Sequence, residues 1–136
     1  MTALKAFIVE DSPVIRENLI AALEELAPVK VVGTAEDEST ALAWLGGIDR
    51  DCDLVIIDIF LKRGSGLGVL RAASALHRPM SLVVLSNYAT PDMRRKCLEL
   101  GASQVFDKSN EIDALILYCT RLAEGETSPG TLAPQA

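Results

Sequence analysis

Residues 53–64 read DLVIIDIFLKRG. Four apolar residues, Leu54-Val55-Ile56-Ile57, run straight into Asp58, and more apolar residues (Ile59, Phe60, Leu61) follow it. A continuous apolar run of this length reads as a strand buried on both faces. A carboxylate ending such a strand is costly to bury alone, so its meaning depends on what else converges there.

Working outward, four more apolar runs are found: Ala6-Phe7-Ile8-Val9, Val29 with Val31-Val32, Leu82-Val83-Val84-Leu85, and Val105-Phe106. Most are continuous, the mark of a parallel sheet covered by helices. Helical patterns lie between them. Ser12-Pro13 supplies an N-cap and a first-turn proline before Ile15, Leu19, Leu23 and Leu26. Leu42 and Leu45 mark a second helix that stops at Gly46-Gly47. A third opens near Ser65-Gly66 and carries Val69, Leu70, Ala73 and Leu76. A fourth follows Thr90-Pro91, shows Met93, Cys97 and Leu100, and stops at Gly101. A fifth starts at Ser109 or Asn110, where Asn110 with Asp113 resembles a capping box. It carries Ile112, Leu115, Ile116, Cys119 and Leu122. The alternation predicts an α/β doubly wound three-layer sandwich with a five-stranded parallel sheet in the order 2-1-3-4-5. The domain runs over residues 1–123. Residues 124–136 are rich in Gly, Pro, Ser and Thr and read as a flexible tail.

A chain of 136 residues can bury one real core. Its net charge of −6 argues against binding a nucleic-acid backbone, which needs a basic stripe. The basic run Arg94-Arg95-Lys96 is read as a helix surface. No apolar stretch approaches the ~20 residues that span a bilayer, and no secretory leader is visible, so a cytoplasmic protein is expected. Cys52, Cys97 and Cys119 are widely spaced without a C-x-x-C pattern, which argues against a disulfide or zinc framework. His77 reads as a surface loop residue and Trp44 as a packing residue.

In such a sheet, ligands bind beyond the carboxyl ends of the strands, where the winding reverses. The first strand ends in Glu10-Asp11, the third in Asp58, the fourth in Ser86-Asn87, and the fifth is followed by Asp107-Lys108. Two carboxylates ~4 Å apart repel by roughly 4 kcal/mol at an effective dielectric of 20. Such a cluster calls for a cation. Lys108 supplies one charge, and an oxygen-only donor set suits Mg²⁺ or Mn²⁺. A carboxylate nucleophile, a lysine, a hydroxyl and a divalent ion are equipment for phosphoryl transfer.

The stretches VEDS (Val9–Ser12), DLVIIDIFLKRGSGLGVL (Asp53–Leu70), VVLSN (Val83–Asn87) and GASQVFDKS (Gly101–Ser109) carry a resemblance. In this order and spacing, from residue 4 to about 122, the chain resembles the receiver domain of two-component response regulators, of the single-domain, stand-alone type. The resemblance implies that Asp58 accepts a phosphoryl group. It implies that Asp11 and Asp58 ligate the metal directly, Glu10 through water, and Phe60 through its backbone carbonyl. Ser86 resembles the switch hydroxyl, and Lys108 the lysine that pairs with Asp58 and then with the phosphoryl oxygens. The implied partners are a histidine kinase or histidine phosphotransfer protein as donor, and a protein target read through the face of the fourth helix, fifth strand and fifth helix. The phosphoryl group could also be passed on to another histidine. A phospho-accepting signalling domain rather than an enzyme is implied, monomeric or weakly dimeric, with no direct contact to nucleic acid or membrane.

Three departures bear on this. Val105 stands where family members place a switch aromatic, and Phe106 is one residue off, facing the other way. Ser109 stands where a cis-proline is common, so a trans bond is expected. Lys62 stands where proline is common. Phe60 and Tyr88, each two residues past a site residue, should obstruct the water that hydrolyses the acyl phosphate and give a slow self-dephosphorylation.

Each residue also has a plain reading. Glu10-Asp11 could begin a helix, Asp58 a loop, Ser86 could cap a turn, and Lys108 could be a surface lysine. Gly64, Gly66 and Gly68 lack the third glycine of a nucleotide loop, with Val69 in its place, and read as a tight loop. An aspartyl-phosphate hydrolase would carry an acid where Phe60 stands. The alternative within this fold is a pseudo-receiver, a binding module that acts without phosphorylation. The joint placement of Glu10, Asp11, Asp58, Ser86 and Lys108 on one sheet edge favours the phosphorylated reading.

Overall fold

The run Leu54–Ile57 forms the middle strand of a five-stranded sheet, every residue of it buried. The computed structural model describes residues 3–47 and 51–125. In chain order the elements are β1 (Leu4–Val9), α1 (Pro13–Leu26), β2 (Val29–Ala35), α2 (Glu38–Leu45), β3 (Leu54–Ile57), α3 (Gly66–Ala75), β4 (Ser81–Ser86), α4 (Pro91–Glu99), β5 (Gln104–Asp107) and α5 (Ile112–Ala123). The strands pair in parallel in the order β2-β1-β3-β4-β5, as the alternation predicts. Of the expected tail, only Glu124 and Gly125 lie within the described residues.

Successive side chains of each strand enter opposite layers, as the period of two requires. Ala6, Ile8, Leu54, Ile56, Val83 and Leu85 pack with α1 and α5. Phe7, Val9, Val55, Ile57, Val84 and Val105 pack with α2, α3 and α4. β2 differs from the expectation of two-sided burial. As an edge strand it alternates between buried and open positions. Its register slips beside Ala6 and Phe7, so that Phe7 lies opposite Gly33. There Trp44 of α2 stacks on Phe7, with centroids 4.1 Å apart and planes 5° from parallel. A Cβ on Gly33 would stand 2.6 Å from the Trp44 ring nitrogen, so glycine makes room for the ring. Trp44 is the packing residue the sequence suggests, and His77 is exposed.

The helix starts follow their caps. Ser12, Ser65 and Thr90 accept from the amides of Ile15, Leu67 and Met93, and Pro13 and Pro91 open α1 and α4. The fifth cap departs from expectation. α5 begins after Glu111, which makes no side-chain cap, and neither Ser109 nor Asn110 opens the helix. The helix faces also differ in part. Leu19 and Leu23 are buried, but Ile15, Leu26, Leu42 and Leu76 lie exposed. Tyr118 joins the buried face of α5, its hydroxyl bonding Ser81 at 3.2 Å. The three cysteines are buried, which pushes the Cys52 thiol up to about 11 and the Cys119 thiol up to about 12. The Lys108–Ser109 bond is trans, as expected.

Candidate functional site

The sheet delivers its polar residues to one edge. β1 ends at Val9, and the amide of Glu10 continues the ladder by donating to Ala35 at 2.9 Å. The amide of Asp58 donates to Val9 at 3.0 Å, which sets the two acids on adjacent strands. Glu10 is 2% and Asp58 7% exposed, while Asp11 is half-buried. Ser86 ends β4 fully buried, and its carbonyl accepts from the Lys108 amide at 3.0 Å.

The side chains converge. Carboxylate oxygens of Glu10, Asp11 and Asp58 lie within 4.8 Å of one another. Lys108 Nζ donates to Glu10 Oε1 at 2.6 Å and to Asp58 Oδ2 at 2.9 Å. The second Glu10 oxygen accepts from the Ser12 amide at 3.1 Å, and Asp58 Oδ1 from the Phe60 amide at 3.3 Å. Ser86 Oγ accepts from the Tyr88 amide at 3.0 Å. Burial pushes the Glu10 carboxyl above its ordinary range, against the opposing pull of Lys108 and the Ser12 amide. Burial alone would lower Lys108, but its bonds to Glu10 and Asp58 outweigh that and hold it above its ordinary value.

Three carboxylates and one ammonium leave the cluster rich in negative charge. Its donors are all hard oxygens, gathered closely enough to share one ion. That chemistry fits a small divalent cation of the Mg²⁺ type and does not fit a soft metal.

The flanking residues behave in three ways. Phe60 and Tyr88, 52% and 62% exposed, meet edge to face with centroids 5.0 Å apart and planes at 72°. Val105 is buried on the α4 side, whereas Phe106 faces the other layer beside Tyr118. Lys62 and Arg63 are exposed in the loop after Asp58.

Two residues here had no signal in the sequence. Arg94, expected on a plain helix surface, instead donates to the carbonyls of Ala89 and Val105, each at 2.9 Å, and to Glu111 at 2.7 Å. The same Glu111 oxygen accepts from the Asp107 amide at 2.8 Å, which explains why it does not cap α5. The Arg94 bond and the Asp107 amide hold the Glu111 carboxyl below its ordinary range. Glu38 accepts from the Ser65 amide at 2.8 Å, bridging 27 residues of sequence. Neither partner follows a local spacing rule.

Comparison with known proteins agrees with this fold. Residues 6–119 match the family model described as the response regulator receiver domain. A protein-glutamate methylesterase/protein-glutamine glutaminase of Anaeromyxobacter dehalogenans is 32% identical over 107 residues, covering 77% of this chain and 29% of that protein. The transcriptional regulatory protein MalR of Bacillus subtilis is 27% identical over 110 residues, covering 81% and 46%. The chain thus spans less than half the length of either relative. Among solved structures, the receiver domain of the putative response regulator NarL from Mycobacterium tuberculosis superposes with TM-score 0.74 at 25% identity, covering 89% of this chain and 98% of that one. The Francisella response regulator 1452 receiver domain shares the fold, with TM-score 0.79 at 19% identity over 91% and 99%.

Proposed function

The chain belongs to the response regulator receiver family of two-component signalling, and from that premise we propose that it carries its signal as a phosphoryl group on Asp58. The observation that carries this reading is the pairing of Lys108 with Asp58 and Glu10 at the switch point of the sheet. A rigid strand end holds the nucleophile in place, which lowers the cost of reaching an in-line geometry. An Asp58 oxygen attacks the phosphorus of a phosphohistidine on a kinase or phosphotransfer protein. The P–N bond breaks as the O–P bond forms, and its electron pair stays on the imidazole. Lys108 then turns from the carboxylate to the phosphoryl oxygens, and the Ser86 hydroxyl donates to another. Asp11, Asp58 and the Phe60 carbonyl would hold Mg²⁺ directly and Glu10 through water, and the bound ion supplies positive charge against the phosphoryl oxygens.

In this reading the receiver unit covers residues 1–123, works in the cytoplasm beside its donor, and presents α4, β5 and α5 to a target. Among the described residues no helix is long and apolar enough to cross a membrane. The test is the intact mass of the protein after incubation with a small acyl-phosphate donor, with and without Mg²⁺, beside Asp58→Asn. One added phosphoryl group that requires both Mg²⁺ and Asp58 is expected. No adduct under any condition, even with a kinase present, would leave a binding module that works without phosphorylation.

The lifetime of that mark follows from Phe60 and Tyr88. The Phe60 ring carries no polar atom to orient a hydrolytic water as an amide or carboxylate would, and it meets Tyr88 edge to face beside the site. Phe60→Asn is expected to shed the phosphoryl group at least about tenfold faster, a barrier change of about 1.4 kcal/mol. Decay followed by intact mass decides it, and an unchanged rate would remove the rings from the account.

A further inference from the structure

We propose that Glu38 is a positioning residue for the loop that follows Asp58, an inference that rests on the receiver reading. The loop from Ile59 to Ser65 leaves the site and returns to start α3. Its own ties are few: the Gly66 amide donates to Ile59 at 2.9 Å, Phe60 bridges Ser65, and the Phe60 amide reaches Asp58 Oδ1 at 3.3 Å. Glu38 belongs to a different crossover, as the first residue of α2. Its amide donates to the Arg63 carbonyl at 3.2 Å, and its Oε1 accepts from the Ser65 amide at 2.8 Å. These two bonds run in opposite directions and clamp the far end of the loop.

Two glycines make room for this one carboxylate. A Cβ on Gly64 would stand 2.6 Å from Glu38 Oε1, and one on Gly68 would stand 2.7 Å from its Cδ. Gly64 adopts a φ of +80°, which suits glycine for its own reasons. Gly68 has no such excuse. It lies inside α3, where alanine is the better helix former, and its missing side chain leaves space that the Glu38 carboxylate fills.

Because Phe60 pairs with Ser65 across the loop, fixing Ser65 fixes the Phe60 backbone. That backbone meets Asp58 through its amide, and its carbonyl is the proposed metal ligand. Glu38 therefore acts on the site through Ser65 and Phe60 without touching it.

Three variants test the role: Glu38→Ala, Glu38→Gln and Gly68→Ala. Mg²⁺ affinity is measured by calorimetry on the unphosphorylated protein, and loop order by hydrogen exchange of residues 59–68. Glu38→Ala is expected to weaken Mg²⁺ about tenfold, the low end for losing a group that orients a ligand, and to speed exchange in the loop alone. Glu38→Gln keeps the acceptor and shape and should stay within about twofold of wild type by the same measure. Gly68→Ala displaces the carboxylate while favouring the helix. It should weaken Mg²⁺ like Glu38→Ala without lowering thermal stability, which a merely structural role would not produce. Equal Mg²⁺ affinity in Glu38→Ala and wild type, or a Glu38→Gln as impaired as Glu38→Ala, would overturn the positioning role. A wild type that binds no Mg²⁺ would overturn the receiver chemistry instead.

Discussion

Lys108→Ala is expected to slow phosphoryl uptake by about 100-fold and to lower stability by about 3 kcal/mol in EDTA near neutral pH. The kinetic loss follows from the role proposed for Lys108, a preorganised cation that meets charge developing on the phosphoryl oxygens. The stability loss follows from what remains. Lys108 joins Glu10 and Asp58 with side chains only 10%, 3% and 9% exposed, so its removal leaves two buried acids facing each other. The pH dependence has a definite sign. The Glu10 carboxyl already sits above its ordinary range, chiefly from burial, and Lys108 restrains it. A raised acid contributes stability that is fully present below its unfolded value and lost as pH rises through its folded value. Without Lys108 that folded value climbs further. The deficit of the variant should therefore be small in acid, where Glu10 takes up a proton, and full at alkaline pH. Lys108 itself, also raised, loses its contribution only at a pH above the ordinary lysine range. Urea unfolding in EDTA at pH 5 and pH 8 checks this. A variant as stable as wild type at both would mean that the two acids do not strain each other. Added Mg²⁺ should return part of the lost stability.

Gly66→Ala carries the next largest effect. Gly66 is buried at the start of α3, and a Cβ there would fall onto the carbonyl of Asp58, within 2.7 Å of its carbonyl carbon and of the Ile59 Cα. The obstructing atoms are backbone, so no side chain can swing aside. Either the first turn of α3 lifts or the peptide after Asp58 moves. Overpacking against fixed atoms costs about 3 kcal/mol at the upper end of its usual range, a fall in Tm of roughly 10 °C for a domain of this size. Because the displaced peptide carries Asp58, the proposed phosphoryl acceptor, phosphoryl uptake should fall as well. Thermal unfolding and intact mass on one preparation measure both. A Tm within about 2 °C of wild type would show that the helix start yields without strain.

The parts legible in the sequence share a cause. β1, β3 and β4 are buried on both faces, so their apolar runs are continuous and point to a parallel sheet. The candidate site residues Glu10, Asp11, Asp58 and Ser86 sit at the ends of those runs and Lys108 just past β5, where the topology gathers them. Legibility fails where a residue answers to a distant partner. β2 has one open edge, so its pattern alternates. Ile15 and Leu26 obey the helical spacing of Leu19 and Leu23, yet both are exposed while the two leucines between them are buried. Asn110 and Asp113 have the spacing of a capping box, yet the helix begins after Glu111, whose carboxylate binds Arg94 and the Asp107 amide. Glu38 reaches Ser65 across a crossover, a contact with no periodic trace.

The contact between Phe60 and Tyr88 also has a meaning in time. A mark that decays quickly reports what its donor is doing now. A mark shielded from water reports an average over its own lifetime, smoothing brief pulses and retaining a trace of sustained ones. If the two rings slow hydrolysis as proposed, they set the bandwidth of the signal, and a single substitution at either one would retune how much of the recent past the protein keeps.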